Sequence, residues 1–326
     1  MEELRGLLSA AGVSSEEIDA AERDGVVLAL VADRFLLPGE RNYTLDAAAV
    51  AAGMSGDQGR RLWRALGFPQ PEADAETFSD DDVEIIRLLL RNSEAVTDYL
   101  LQEARVISAS LRRVADVLVD EIWGTYRGDT RTDAEAATAV AGNIDLERIE
   151  RLLLHLLRRQ LVASIYSRSA LATHGSVLAV GFIDLVGFTA LSQQLDAGEL
   201  GRLVERFEAT CHDLIADAGA RFVKALGDGV LFTCSGAEQA AAVALDLLAA
   251  VGDSVGPARA AVAYGPVIAR DGDVYGPVVN LASRLVALAE PMSVIAPATL
   301  GIDGVPIGAR QVRGIGDVEL VQVRRP

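Results

Sequence analysis

The chain has 326 residues, half of them hydrophobic and 5% aromatic, with a formal net charge of -17. That length supports two domains with proper cores, and the acidic balance argues against general affinity for nucleic acid or anionic lipid surfaces. The cysteines, Cys211 and Cys234, give neither a disulfide framework nor a paired zinc spacing. No apolar run has membrane-spanning length and the opening MEELRGLLSAAG lacks a signal-peptide pattern, so a cytoplasmic protein with no membrane partner is expected.

Residues 1–145 read as an all-helical domain. Glu2–Ala11 is a short amphipathic helix, and Ser14 and Ser15 ahead of Glu17 start a second. Gly25–Leu37 is apolar and stops at the turn signal Pro38-Gly39. An Ala-rich helix follows Tyr43-Thr44-Leu45-Asp46 and breaks at Gly53; another, Gln58–Leu66, ends at Gly67-Phe68-Pro69. Asp80, Asp81 and Asp82 open a helix over Val83–Asn92, where the macrodipole favours acids.

The run YTLDAAAVAAGMSGDQGRRLWRALGFPQP with FSDDDVEIIRLL resembles a helix-turn-helix of one family of bacterial transcription regulators. Its recognition helix would be Asp57–Leu66, carrying Arg60, Arg61 and Arg64. The acidic flank Glu72–Asp82 lacks the electrostatic footprint of DNA binding, so packing within a regulatory domain is the expected role. A helical pattern then runs from Glu94 to Tyr126, and Gly128–Thr132 reads as a loop. A lipid-like ligand inside this apolar half is a further reading, although no residue pattern marks a pocket.

Residues 146–172 form a connector, with Leu146, Ile149, Leu153 and Leu156 on one ridge and Arg148, Arg151, Arg158 and Arg159 on the other side. It reads either as a dimer-forming helix or as one buried on its own domain. Residues 173–326 change period. Strands are expected at Val177–Ile183, Ala220–Ala225, Val230–Cys234, Ala258–Ala263 with Val267–Ala269, Val294–Ala296 and Val318–Val323. Helices are expected at Ala197–Ala218, Ala237–Val251 and Val278–Leu288. The order strand, helix, strand, strand, helix, strand implies an α+β, ferredoxin-like βαββαβ domain with its helices on one face.

Three stretches of this half carry chemistry. In VLAVGFIDLVGFT a buried strand ends on a single carboxylate, Asp184, followed by a turn through Gly187, Phe188 and Thr189 into a helix. An Asp there either meets a cation or caps the next helix, and the turn amides favour a phosphate. In RFVKALGDGVLF, Gly-Asp-Gly alone is ordinary turn chemistry, yet the hairpin turn brings Asp228 to one tip of the sheet, where Asp184 also ends its strand, and two such carboxylates suit divalent ions holding a triphosphate. In DVYGPVVNLASRL, Asn280 and Arg284 share one helix face, either as donors to charge on a phosphoryl group or as a core-edge amide and a helix salt-bridge residue.

Together, F-x-D-x-x-G-F-T (Phe182 to Thr189), K-x-x-G-D (Lys224 to Asp228) and D-x-x-G-x-x-V-N-x-A-x-R (Asp273 to Arg284) resemble the catalytic domain of the class III nucleotidyl cyclases. The resemblance implies that Asp184 and Asp228 bind two Mg2+ or Mn2+ ions and that Lys224 and Asp273 read the purine. It implies that Asn280 orients the ribose and Arg284 stabilises the phosphate. Arg313 stands where the family often has a lysine on the triphosphate, which keeps the charge but changes its geometry. Asp273 can accept from the adenine amino group and Lys224 can donate to a ring nitrogen, whereas guanine would set its O6 against the carboxylate; relatives that make cyclic GMP usually carry Glu and Cys here. ATP is therefore the expected substrate and cyclic AMP the product. Relatives pair head to tail, which implies a homodimer with two composite sites.

An all-helical domain joined by a helix to one cyclase domain also resembles a subgroup of bacterial cyclases that are autoinhibited and respond to pH. Among three histidines, His155 in the connector and His174 at the boundary are the candidate proton sensors. Two other classes remain open: a nucleotide-binding regulator of weak activity and a DNA-binding N-terminal module.

Overall fold

The structure is a computed structural model that describes residues 12–90, 96–127, 145–174 and 177–325, together with 5, 6, 8 and 9; the side chains of 28, 121–127 and 166–174 are outside the description. The expected helix Glu2–Ala11 falls largely, and the loop Gly128–Thr132 wholly, outside those residues. The chain divides into two compact units, Met1–Leu154 and His155–Pro326.

Among the described residues the first unit contains helices α1 (Ser15–Asp24), α2 (Val27–Leu36), α3 (Leu45–Ala51), α4 (Gly56–Ala65), α5 (Asp80–Leu90) and α6 (Asp98–Arg127). Local chemistry sets several of their starts. Ser14 and Glu17 form a reciprocal capping box on α1, as Ser55 and Gln58 do on α4, and Ser79 and Asp82 bond likewise at the start of α5. Ala49, Leu62, Leu101 and Ala104 share one core cluster, while Leu45, Phe78 and Val83 share a second. On the expected recognition helix α4, Arg60 is paired with Asp46 and Asp57, and Arg61 lies 3.4 Å from Asp98. Two of its three arginines thus already face acids of their own chain.

Helix α7 (Leu146–His174) spans the expected connector 146–172 and runs two residues past it, and its described side chains Leu152, Leu156, Leu157, Leu161 and Ile165 are exposed. No helix among the described residues is long and apolar enough to cross a membrane.

The second unit is built on strands β1 (Val177–Leu185), β2 (Arg221–Leu226), β3 (Gly229–Cys234), β4 (Ala258–Pro266), β7 (Val294–Pro297), β8 (Gly304–Val312) and β9 (Gly316–Val323), ordered β2-β3-β1-β4-β7-β9-β8 in one sheet. A separate ribbon pairs β5 (Ile268–Arg270) with β6 (Asp273–Tyr275). The helices are α8 (Phe188–Ser192), α9 (Ala197–Asp217), α10 (Ala237–Ser254) and α11 (Pro277–Val286). The first four strands with α9 and α10 form the βαββαβ core, with each neighbouring pair of these strands antiparallel.

Because strand side chains alternate, β1 feeds two cores. Ala179, Ile183 and Leu185 pack with Phe207 and Leu247 of α9 and α10, whereas Val180 and Phe182 pack with Ala282 and Leu285 of α11. Helix α11 therefore covers the face opposite α9 and α10, a third helix beyond the one-faced layer expected from element order. Asp184, two residues on from Phe182, falls on the α11 side.

Candidate active site

Strand β1 runs one residue past Asp184, which is opposed by Gly229 on β3 and by Arg259 on β4. Arg259 donates from Nη2 at 2.8 Å and Nε at 3.0 Å to the same oxygen, Asp184 Oδ2. The pair is three-quarters buried, with side chains 29% and 24% exposed. A carboxylate in a sheet needs such a counter-charge, which Arg259 supplies, and the next helix, Phe188–Ser192, has no side-chain cap. Arg259 also donates Nη1 to the Ala287 carbonyl at 3.2 Å, beyond the end of α11. Sequence reading missed Arg259; its signal is a lone charge inside the apolar strand ARAAVA.

Asp228 lies in the β2–β3 turn, and its carbonyl accepts the Leu185 N–H at 2.9 Å. That bond fixes the hairpin tip to the residue after Asp184, bringing both predicted metal aspartates to one end of the sheet. Just beyond, the first bonds of α8 are the Ala190 and Leu191 amides donating to the Gly187 carbonyl, at 3.1 and 3.0 Å. The Gly187, Phe188 and Thr189 amides precede that ladder, as helix geometry requires.

Lys224, on β2, forms an ion pair with Asp273 on β6, forty-nine positions away. Asp273 Oδ2 takes the ammonium and Oδ1 accepts the Val274 N–H at 2.8 Å. Burial pushes the Asp273 carboxyl pKa up, but the Lys224 and Val274 hydrogen bonds and the Lys224 charge outweigh it and hold the pKa below the ordinary value. Asn280 and Arg284 are exposed, one turn apart on α11. Arg284 Nη1 donates to the carbonyl of Arg313, which lies in the exposed β8–β9 turn. Among the described residues no hydrogen bond joins the three groups, Asp184 with Asp228, Lys224 with Asp273, and Arg284 with Arg313, to one another. His155 is exposed on α7, and the His174 side chain lies outside the described residues.

Asp184 and Asp228 at one end of the sheet, the Lys224–Asp273 pair and the Asn280–Arg284 helix face belong to the three motifs that resemble the catalytic domain of a nucleotidyl cyclase. The family model for the adenylate and guanylate cyclase catalytic domain matches residues 172–300. An adenylate cyclase of Streptomyces coelicolor is 36% identical over 291 residues, covering 85% of this chain and 75% of that protein. One of Glutamicibacter nicotianae is 31% identical over 323 residues, covering 88% and 80%. A pH-sensitive adenylate cyclase of Mycobacterium tuberculosis is 38% identical over 162 residues, covering 45% and 41%. The chain belongs to the class III adenylate cyclases, enzymes of the phosphorus–oxygen lyase type.

Proposed function

We propose that the chain converts ATP to 3′,5′-cyclic AMP and pyrophosphate at composite sites of a head-to-tail homodimer. The observation that carries this reading is the convergence of Asp184 and Asp228, tied through the Leu185–Asp228 main-chain bond.

The residues fit a divalent metal. Both ligands are hard oxygen donors, and Asp184 already holds a cationic group in Arg259. Among the described residues no cluster of three or more His, Cys, Asp or Glu surrounds them, so substrate phosphates and water would have to complete the shell of an ion held there. Asp184 and Asp228 would hold two such ions, Mg2+ or Mn2+, which supply charge neutralisation and acidify the ribose 3′-hydroxyl.

In the reaction the 3′-oxygen attacks the α-phosphorus and the bond to the bridging oxygen breaks, releasing pyrophosphate. The Gly187, Phe188 and Thr189 amides and the Arg313 guanidinium would take the phosphates. Asn280 would hold the ribose, and Arg284 would donate to the phosphoryl oxygens as charge develops. Lys224 and Asp273, now bonded to each other, would open to admit the adenine edge, each exchanging its partner for a base atom of matching polarity. The partner chain would supply half of each site.

The N-terminal helical domain would regulate this activity through α7, with protons as the signal. The pH-sensitive relative supports that reading, as does the exposed position of His155 among Arg151, Arg158 and Arg159. A lipid-like ligand in the N-terminal unit is kept as a second effector to screen.

The test is a cyclic-nucleotide assay on the full chain with ATP and GTP, each with Mg2+ or Mn2+, from pH 5.5 to 8.5. Faster turnover of GTP than ATP rejects the substrate assignment. Unchanged pH profiles in His155→Ala and His174→Ala reject histidine gating.

A further inference from the structure

The base-reading carboxylate is not carried on the main sheet. Asp273 sits on β6, in a ribbon of two three-residue strands that forms its own sheet with β5. Strand β5 is exposed along its length, while Val274 of β6 is buried. The ribbon closes through Asp271 and Gly272, whose φ angles of 55° and 84° are those of a tight Asp-Gly hairpin turn. Such a ribbon has no ladder bonds to the sheet that carries Lys224, so side chains must fix the distance between the two base readers.

Strand β2 reaches the ribbon at two successive residues. Lys224 takes the Asp273 carboxylate, and Arg221 Nη2 donates to the Gly272 carbonyl at 3.0 Å. The two contacts respond differently to substrate. A purine entering between Lys224 and Asp273 takes over the first contact. The second is made to main chain one residue away and is untouched by the base, so it survives binding.

From this we infer that Arg221 is a positioning residue for purine discrimination, holding the Asp273 ribbon in register with Lys224 while the base lies between them. The inference rests on the reading that Lys224 and Asp273 contact the purine. A guanidinium suits the task, because its long stem and planar fork reach a carbonyl that an ammonium on a shorter stem reaches less directly. Arg221 is exposed and lines an open cavity shared with Gln160, Ser164 and His212. Truncating it therefore removes the tie without opening a hole in either core.

The experiment is steady-state kinetics on the full chain with Mn2+, using ATP as substrate and GTP as substrate or competitive inhibitor. Loss of one hydrogen bond corresponds to roughly 3- to 10-fold, so Arg221→Ala should raise the ATP KM by about that factor. The kcat should move little and GTP affinity should hold, so that ATP-over-GTP discrimination falls by the same factor. Arg221→Lys should recover part of it. In an Asp273→Ala background, Arg221→Ala should change discrimination no further. If Asp273→Ala collapses discrimination and Arg221→Ala leaves it intact, the positioning role is overturned and the purine reading stands. If neither substitution moves it, both are overturned. An equal loss of kcat with both nucleotides, or a lowered thermal midpoint with discrimination intact, marks a purely structural residue and also overturns the role.

Discussion

Replacing Arg259 with alanine removes the guanidinium that faces Asp184. Two charge-assisted bonds converge on one carboxylate oxygen, and the side chains are 29% and 24% exposed. Breaking a fully buried pair costs about 3–5 kcal/mol, and an exposed pair contributes about 0–1 kcal/mol. With solvent screening at a quarter exposure, the loss should be about 2 kcal/mol. In a unit spanning His155–Pro326, that corresponds to a fall in thermal midpoint of roughly 4–8 °C. Scanning calorimetry on the full chain reads it, with the catalytic transition identified as the one raised by a non-hydrolysable ATP analogue. Asp184→Asn and the double variant complete the cycle and should give a coupling of comparable size. If Asp184 holds a metal as proposed, Arg259 competes for it, and millimolar Mn2+ should raise the midpoint of Arg259→Ala more than that of the parent. A midpoint unchanged within a degree or so would show the pair to be incidental, and equal Mn2+ shifts in both proteins would refute the competition.

Further outcomes follow from the same contacts. The Asp273 carboxyl is held below its ordinary pKa of 3.8, so its stabilising effect is complete above that value and disappears as pH falls through the lowered one; urea titrations should show the parent's advantage over Asp273→Asn constant near pH 6 and shrinking below pH 4. Gly181 lies against the buried Phe232 ring, where an added Cβ would overlap; Gly181→Ala should destabilise by about 1–3 kcal/mol, with Phe232→Leu restoring part of the loss, and a neutral result would refute the close approach. Burial pushes the Cys211 and Cys234 thiols up to about 12, so a thiol reagent at pH 8 should label neither until the unit unfolds. Mixing inactive Asp184→Ala chains with inactive Asn280→Ala chains should restore activity at one site per mixed dimer, and silent mixed dimers would end the composite-site reading.

What could be read from the chain divides by the range of the interaction. Helix starts were legible because caps are local: Ser14 with Glu17 signals α1 within four residues. Strand β8 was not, because it is an edge strand carrying Pro306 and Gly308 across a register shift, where an unpaired N–H and a bulge are tolerated and the alternation is broken. Apart from Arg313 and the two histidines, the candidate residues lie in three short motifs whose spacing, rather than any one carboxylate, carried the resemblance. The charged partners stayed hidden. Asp184 invited an end to β1 because a lone Asp in an apolar strand has no local compensation, and its compensation is supplied by Arg259 only once β1 and β4 pair in register. Arg221 likewise looks like a surface residue until the β5–β6 ribbon returns beside β2. In both cases the cation can be seen in the sequence and its target cannot, since register between strands dozens of residues apart is set by the packing of both faces of the sheet. The same dependence makes these two arginines informative probes: Arg259 bonds the Asp184 carboxylate and Arg221 the main-chain carbonyl of Gly272 beside Asp273, so each can be substituted with both aspartates still in place.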